Sequence, residues 1–247
     1  MIIKQTMVNI TYPMVIDCRK KFINNESILN EYFQPANILS VPDQINPEIP
    51  RMFITTKNNH SLLNLSLIGA TLTTNIDGDF TDDWSHCKNY LDSRMKVVYQ
   101  LIDELTNKNE KYTGLVTKLE YVPVNDSAES IIKKFILRDN GDKLGNPYNV
   151  SCKLTYIFDK KYYINVSLEN KREYKSEKTD LGNIILRETG NSSLGITLDI
   201  NDRYLSNNKK DYKTSKDVFA DLLNITSEFV TERLEAFVAT GELRYGR

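Results

Sequence analysis

The sequence contains few of the residues that most often build metal sites, disulfides or membrane segments. Its 247 residues include three cysteines, two histidines and one tryptophan. The cysteines, Cys18, Cys87 and Cys152, are odd in number and lack CxxC spacing, which favours free thiols in a reducing cytosol over a disulfide framework. No apolar run approaches the roughly 18 residues that a spanning helix needs, and no signal peptide is evident. We therefore expect a cytoplasmic protein that does not enter a membrane.

The chain also lacks a strong charge of either sign. Its formal net charge is −1 and its pI is near 6.2, which argues against bulk nucleic acid or an anionic membrane as the main partner. Hydrophobic residues make up 40% and charged residues 26%, as in ordinary globular domains. The 14 tyrosines and 9 phenylalanines suit a surface that binds protein, because aromatic residues are enriched in such interfaces.

Two long segments are typical of amphipathic helices. In residues 81–107, apolar side chains recur at steps of three, four or seven: Trp84, Cys87, Leu91, Val98, Leu101 and Leu105. Residues 214–240 carry a broader apolar face, wide enough to lie across a sheet. Gly241 then suits the left-handed position that ends a helix.

The segments before each long helix predict strands, with one short helix in each half. In the first half we expect a strand over 7–22 that contains Pro13, a short helix over 26–33, a proline-punctuated loop over 34–50, and strands over 51–56, 60–67 and 70–76. In the second half we expect a strand over 113–124, a helix over 129–136, and strands over 148–158, 162–168, 182–187 and 194–200. The charged residues 171–179 predict a solvated loop or hairpin tip, and Gly190-Asn191-Ser192 predicts a turn.

This order of elements indicates an internal duplication. The Glu129-Ser130 pair and the apolar residues after it align with Glu26-Ser27 and the residues that follow. We predict an α+β protein built of two tandem β-α-β(3-4)-α helix-grip-like halves, with antiparallel sheets and a long helix closing each half. The halves are residues 1–110 and 111–247. The element order resembles that of helix-grip ligand-binding proteins and the duplicated saddle of TATA-binding proteins, which implies fold and not function.

A resemblance to one protein family covers nearly the whole chain. Its signals are a Pro-rich stretch followed by RMFITT (residues 51–56) and LLNLS (residues 62–66), then Leu119-Glu120-Tyr121 and Leu198-Asp199-Ile200 before the final helix. These residues resemble a sporadically distributed bacterial family of similar length that has no established activity. Of the glycine-arginine-tyrosine pattern expected near the mid-chain strand, only Gly114 and Tyr121 are present. The patchy distribution implies a setting in bacterial defence or toxin–antitoxin loci.

No catalytic constellation emerges, and we expect no metal and no cofactor. A Cys/His nucleophile would require one of the cysteines to meet His60 or His86, but Cys18 and Cys152 lie in apolar strand patterns. Glu169-Asn170-Lys171, with Asp159 on the paired strand, has the spacing of a nuclease ExK motif. Such triplets are common in a chain this rich in Glu and Lys.

One hairpin mixes basic and aromatic residues, as single-strand-binding surfaces do. The candidate nucleic-acid-binding residues are Lys160, Lys161, Tyr162, Lys171, Arg172, Tyr174 and Lys175. Nearby glutamates dilute the charge, and lysines also guard sheet edges against aggregation. The favoured function is therefore a non-enzymatic interaction or regulatory protein that binds a protein partner or a second copy of itself. Nucleic-acid binding or processing through this hairpin is the alternative, and a small-ligand carrier with a cavity beneath a long helix is a third hypothesis.

Overall fold

A computed structural model describes residues 1–123, 126–136, 148–178 and 183–243, with all their side chains except those of Asp79 and Ile136. Within these ranges, nine strands form one antiparallel sheet. The strands are β1 (Ile2–Thr11), β2 (Asn37–Ile38), β3 (Met52–Thr55), β4 (Ser61–Leu65), β5 (Gly69–Asn75), β6 (Tyr112–Tyr121), β7 (Ser151–Phe158), β8 (Tyr162–Lys178) and β9 (Ile184–Asn201).

The strand order places the first strand of each predicted half at the centre of the sheet. The order is β2-β3-β4-β5-β1-β6-β9-β8-β7, and all neighbours are antiparallel. Strand β1 pairs with β5 on one side and with β6 on the other, and β6 then pairs with β9. The α+β class with antiparallel pairing is confirmed, and the β1–β6 pair joins the strands from before and after residue 110 into one sheet.

The helices supply the second layer of the fold. They are α1 (Cys18–Asn25), α2 (Trp84–Thr106), α3 (Ala128–Ile136), α4 (Arg203–Asn208), α5 (Lys216–Glu228) and α6 (Leu234–Thr240), with a π-helical segment (Phe229–Arg233) between the last two. The six apolar residues predicted to form one face of α2 are all buried. Helices α2 and α5 pack side by side, with the Tyr99 and Phe219 ring centroids 6.0 Å apart. Gly241 ends α6 at φ 77°, which confirms the predicted left-handed cap.

Buried and partly exposed side chains alternate along the strands, so one face of the sheet is covered and the other is open. Thr6, Val8 and Ile10 are buried, whereas Met7 and Asn9 between them are partly exposed. The register slips between Ile3 and Gln5 where β1 pairs with β6, so Ile3 and Thr6 are both buried although they lie three positions apart. The two long helical segments pack on the covered face, where the core lies.

The prediction for the first strand is wrong at both ends. It was expected over residues 7–22, but β1 spans Ile2–Thr11 and residues 18–25 form α1. Pro13 lies after the strand, because proline cannot donate to a ladder bond. Asp17 then turns the chain with φ 58° at the N-cap of α1. The apolar residues of this segment continue beyond the turn, so their β-branched character alone suggested a longer strand.

The predicted hairpin between residues 182–187 and 194–200 is also wrong, because residues 184–187 and 194–200 lie in the single strand β9. Gly190, at φ 82°, belongs to a β-bulge and not to a turn. Arg172 pairs with Ser192 and Tyr174 pairs with Glu188, so three residues of β9 face the single residue Glu173. The Glu173 carboxylate accepts hydrogen bonds from Thr189 Oγ1 at 3.1 Å and Asn191 Nδ2 at 2.8 Å, which stabilises the bulge.

The proline-rich segment is mainly loop, as expected, but it is held in place from within. Arg51, predicted to begin a strand, is completely buried just before β3. Its guanidinium donates to four backbone carbonyls of the segment, those of Pro42, Ile45, Asn46 and Ile49. Asp43 Oδ1 lies 3.5 Å from Arg51 Nε and also accepts from Arg19. Two arginines therefore organise a stretch that has little regular structure.

Candidate functional site

Strands β8 and β9 continue beyond their neighbours as a two-stranded ribbon. The β7–β8 pairing ends at Ser151 and Glu169, and the β6–β9 pairing ends at Tyr121 and Leu194. Beyond these points, residues 171–178 and 184–193 pair only with each other among the described residues. We call these two stretches the arm. Its two outer edges offer backbone donors and acceptors to which no described strand is bound.

Large apolar side chains are exposed on the arm. The exposed fractions are 67% for Ile184, 37% for Ile185 and 68% for Leu186, and Tyr174 on the paired strand is 46% exposed. Successive side chains on a strand point to opposite faces, so the three consecutive aliphatic residues place apolar surface on both faces of the ribbon. Contiguous exposed apolar residues of this kind mark interaction surfaces more often than isolated ones.

An ion-pair cluster fixes the base of the arm to α3. Arg172 donates from Nη2 to Glu129 Oε1 at 2.8 Å and forms an ion pair with Glu188 through Nη1. Its guanidinium carbon lies 3.9 Å from the centre of the Tyr148 ring, and Tyr148 donates its hydroxyl to Glu188 at 2.6 Å. The hydrogen bond from the Tyr148 hydroxyl is the main cause that lowers the pKa of Glu188 below its usual value, and the hydrogen bond from Arg172 is the second. The cluster therefore positions the arm with charged and aromatic groups.

The predicted nucleic-acid residues separate into two groups at opposite ends of β8. Lys160, Lys161 and Tyr162 lie at the β7–β8 turn, whereas Lys171, Arg172, Tyr174 and Lys175 lie in the arm. The ten residue-to-residue steps from 161 to 171 span roughly 33 Å at about 3.3 Å per step. The strand therefore does not bring the seven residues together.

Several of these side chains are engaged within the protein. Tyr162 is buried and donates its hydroxyl to Asp221 at 2.7 Å, and Lys161 pairs with Asp159 at 2.8 Å. Arg172 belongs to the cluster at the base of the arm, and the Tyr174 hydroxyl lies 3.1 Å from that of Tyr148. Lys171 lies 3.7 Å from Glu169. Lys175 is exposed in the arm, and Lys160 is exposed at the turn.

The ExK alternative is not assembled. Glu169 pairs with Ser151 at one end of the β7–β8 ladder, while Asp159 lies in the turn at the other end, beyond the Phe158–Tyr162 pair. The two carboxylates are therefore separated by almost the whole hairpin. The carboxylates of a metal-dependent nuclease must be close enough to bind the same metal ion, so Glu169 and Asp159 do not form such a centre.

Both histidines and Cys87 line one cleft beside α2. Burial, followed by the charge of Asp83, raises the pKa of the Cys87 thiol to about 11, so it is protonated and weakly nucleophilic at neutral pH. Burial likewise raises the pKa of Cys18 to about 11 and raises that of Cys152. In the described residues no group of three or more His, Cys, Asp and Glu side chains could hold a metal ion.

The open sheet face carries polar side chains that satisfy one another. A hollow of about 380 Å³ lies on this face. Within it Thr71 Oγ1 donates to Asn9 Oδ1 at 2.9 Å, and the Asp199 carboxylate accepts from Asn165 at 3.1 Å and from Asn201 at 3.0 Å. Because these polar side chains already have hydrogen-bond partners within the protein, the open face is a weaker candidate for a binding surface than the arm.

The sequence did not identify the apolar part of the arm as a site. Ile184, Ile185 and Leu186 form a short aliphatic run, which usually indicates a buried strand. Their exposure depends on how far β8 and β9 extend past their neighbours. The sequence did not indicate this extension, because the bulge residues Gly190-Asn191-Ser192 suggested a turn. The available signal was the charged stretch 171–178, which marks the partner strand as solvated.

The chain matches no known family model, and it matches no curated protein. Across the ranges that the structure describes, none of the helices is long and apolar enough to cross a membrane.

Proposed function

We propose that this protein is a non-enzymatic interaction module that binds a protein partner through the arm. The observation that carries the proposal is the exposure of Ile184 and Leu186, at 67% and 68%, on a ribbon whose outer edges have no described strand partner. An exposed apolar edge favours addition of a strand from another chain, because the backbone groups supply affinity and the alternate side chains supply specificity. The resemblance to a patchily distributed bacterial family suggests a setting in defence or toxin–antitoxin loci.

The proposal includes a duplicated architecture of two tandem halves, residues 1–110 and 111–247. Several features support it. Strands β1 and β6 have ten residues each, and each is followed two residues later by a proline, Pro13 or Pro123. Each pairs with the last strand before a long helix, β5 or β9, and the helices α2 and α5 that follow pack together.

The arm is the main departure from this repeat. In the first half the corresponding hairpin joins β4 and β5 through a short turn, with Ser66 N donating to Gly69 O at 2.8 Å. In the second half β8 and β9 extend well past their neighbours. The arm has no counterpart in the first half, so the core of such a unit can form without it. This favours an interaction role for the arm.

Binding of single-stranded nucleic acid is the second candidate. The observation that favours it is the group of basic side chains on the arm, Lys171, Lys175, Lys178 and Arg187, beside the half-exposed ring of Tyr174. Basic side chains that alternate with an aromatic ring suit a backbone and a stacked base. Arg187 pairs with Glu177, and Glu173 also lies on the arm, which reduces the net positive charge.

The test compares an arm variant with a matched control for self-association and for association with proteins of the native host. The arm variant is Ile184→Ser with Leu186→Ser. The control is Ile16→Ser, which removes an equally exposed isoleucine, 75% exposed, away from the arm. Neither variant should change the thermal midpoint much, because the residues lie outside the core. Sedimentation velocity over a concentration series measures self-association, and crosslinking in the native host measures other partners.

We expect the wild type and Ile16→Ser to form the same complex and the arm variant to lose it. A complex that survives in the arm variant would refute the proposal. A wild-type protein that stays monomeric, is crosslinked to no protein and binds single-stranded DNA at about 50 mM salt would favour the second candidate.

A further inference from the structure

A cleft separate from the arm lies between the start of α2 and the β4–β5 side of the sheet. We call it the α2 cleft. Its volume is about 470 Å³, within the usual range for small-molecule sites. Its described lining residues are Asn58, His60, Thr74, Asn75, Ile76, Asp77, Phe80, His86, Cys87, Asn89, Tyr90 and Arg94. It is distinct from the surface that the proposed function uses.

Aromatic rings form flat walls in this cleft. Phe80 and His86 are stacked with their centroids 4.0 Å apart and their planes 14° apart. Tyr90 contacts His60 edge-on, with centroids 6.4 Å apart. Phe80 is 40% exposed, so its ring is accessible to a molecule that enters the cleft. Flat, accessible rings favour a planar ligand, since stacking adds to the energy of apolar burial.

Arg94 brings a positive charge into the cleft and forms no ion pair with any described carboxylate. Its guanidinium carbon lies 3.8 Å from the centroid of Tyr90 and 4.7 Å from that of Tyr32, so the group is held by two aromatic faces. Its hydrogen bond goes to the neutral Ser93 Oγ at 2.8 Å, and its buried Nε has no partner among the described residues. No described carboxylate oxygen lies within ion-pair distance of Arg94, whereas Arg19, Arg51 and Arg172 each have one.

The remaining polar groups do not neutralise this charge. Asp77 is the one carboxylate among the described lining residues of the α2 cleft. It is 74% exposed and lies 3.5 Å from His60 Nδ1. The Tyr90 hydroxyl is already shared with Ser61 Oγ at 3.0 Å and Asn58 Oδ1 at 3.2 Å, which fixes the ring under Arg94. A rigid guanidinium that has no described ion-pair partner, beside flat aromatic walls, matches a ligand that is both planar and anionic.

We propose that the α2 cleft binds a small planar anion, an aromatic ring that bears a carboxylate or a phosphate. The ring lies against the Phe80–His86 stack, and the anionic group accepts hydrogen bonds from Arg94. An aromatic carboxylate and a nucleoside monophosphate share this chemistry, and the choice of probes distinguishes them.

Isothermal titration calorimetry with two pairs of probes tests the proposal. Each pair consists of an anion and its neutral counterpart: indole-3-acetate with indole-3-ethanol, and AMP with adenosine. For at least one pair we expect the anion to bind about tenfold more tightly than the neutral compound, as one charge-assisted contact supplies. The pair that shows this preference identifies the ligand class.

Three variants make the result specific. Arg94→Gln should abolish the preference for the anion, while Arg187→Gln, which removes an exposed arginine of the arm, should leave it unchanged. Phe80→Ala should weaken both members of the pair and keep the preference, and a partly exposed ring can be removed without unfolding the core. The proposal is overturned when no probe binds the wild type at up to about 5 mM, or when Arg94→Gln keeps the preference.

Discussion

Replacement of Arg51 tests whether one buried guanidinium holds the proline-rich segment in place. Arg51 is the largest of the fully buried side chains, and its partners are backbone carbonyls and Asp43 rather than a second buried charge. The substitution Arg51→Met keeps much of the side-chain length and its apolar contacts. It removes the charge and all of the hydrogen bonds that the side chain donates.

The expected loss of stability follows from these bonds. Three of the four carbonyl contacts have donor–acceptor distances of 3.0 to 3.4 Å, and a hydrogen bond from a charged group contributes about 1.5–3 kcal/mol. The contributions do not add, because the segment can open and expose its carbonyls to water. Removal of one partner from a buried charged network costs about 3–5 kcal/mol. Asp43 is 48% exposed, so we expect the lower end of that range, about 3 kcal/mol.

Urea unfolding followed by Trp84 fluorescence measures this loss, since Trp84 is the single tryptophan and is 3% exposed. Limited proteolysis should show faster cleavage within residues 39–50 in Arg51→Met. Arg19→Met is the matched control: it also removes an arginine bound to Asp43, but one whose side chain is 25% exposed, so its effect should be smaller. A loss below about 1 kcal/mol in Arg51→Met would show that other contacts hold the segment. Equal losses in both variants would show that Arg19, which donates to the carbonyls of Leu39 and Val41, contributes as much as Arg51.

Three further outcomes follow from single residues. Asn107 ends α2 at φ 56°, so Asn107→Ala should lower the free energy of unfolding by about 1 kcal/mol and Asn107→Gly should not, as thermal melts will show. Burial raises the pKa of Asp202, so the folded state keeps this proton to higher pH than the unfolded state and the contribution of Asp202 to stability falls as pH rises. Urea titrations from about pH 4 to 7 should therefore show Asp202→Asn gaining stability relative to wild type, and a constant difference would contradict this. Cys18 and Cys87, buried with thiol pKa values of about 11, should resist iodoacetamide in the folded protein and react in urea, as mass spectrometry can establish.

Patterns confined to one element predicted the structure well. The spacing of apolar residues predicted α2 and the helical character of residues 214–240, because burial against a sheet imposes a period near 3.6 residues. It did not predict the π-helical segment that divides the second of these into α5 and α6. The short polar turns at residues 57–59 and 159–161 also separated paired strands correctly. In each case the decisive interaction lies within a few residues along the chain.

Features that depend on distant partners were not predicted. Gly190-Asn191-Ser192 suits a turn and a bulge equally, and the choice rests on Glu173, which binds Thr189 and Asn191 from the neighbouring strand. The candidate nucleic-acid residues were grouped by their closeness in sequence. An extended strand separates such residues instead, and Tyr162 is turned inward to Asp221.

The two strands of the arm differ in a way that indicates how a partner would approach. Residues 171–178 carry three lysines, which protect an open edge against unspecific pairing. The facing stretch of β9 begins with Ile184, Ile185 and Leu186, whose exposed apolar surface lacks such protection. The charged side chains of this stretch that follow, Arg187 and Glu188, are both engaged in ion pairs with β8. We infer that the β9 edge is the one a partner covers. Lysine substitution at Leu186 should then abolish association, while substitution of Lys178 by leucine should not.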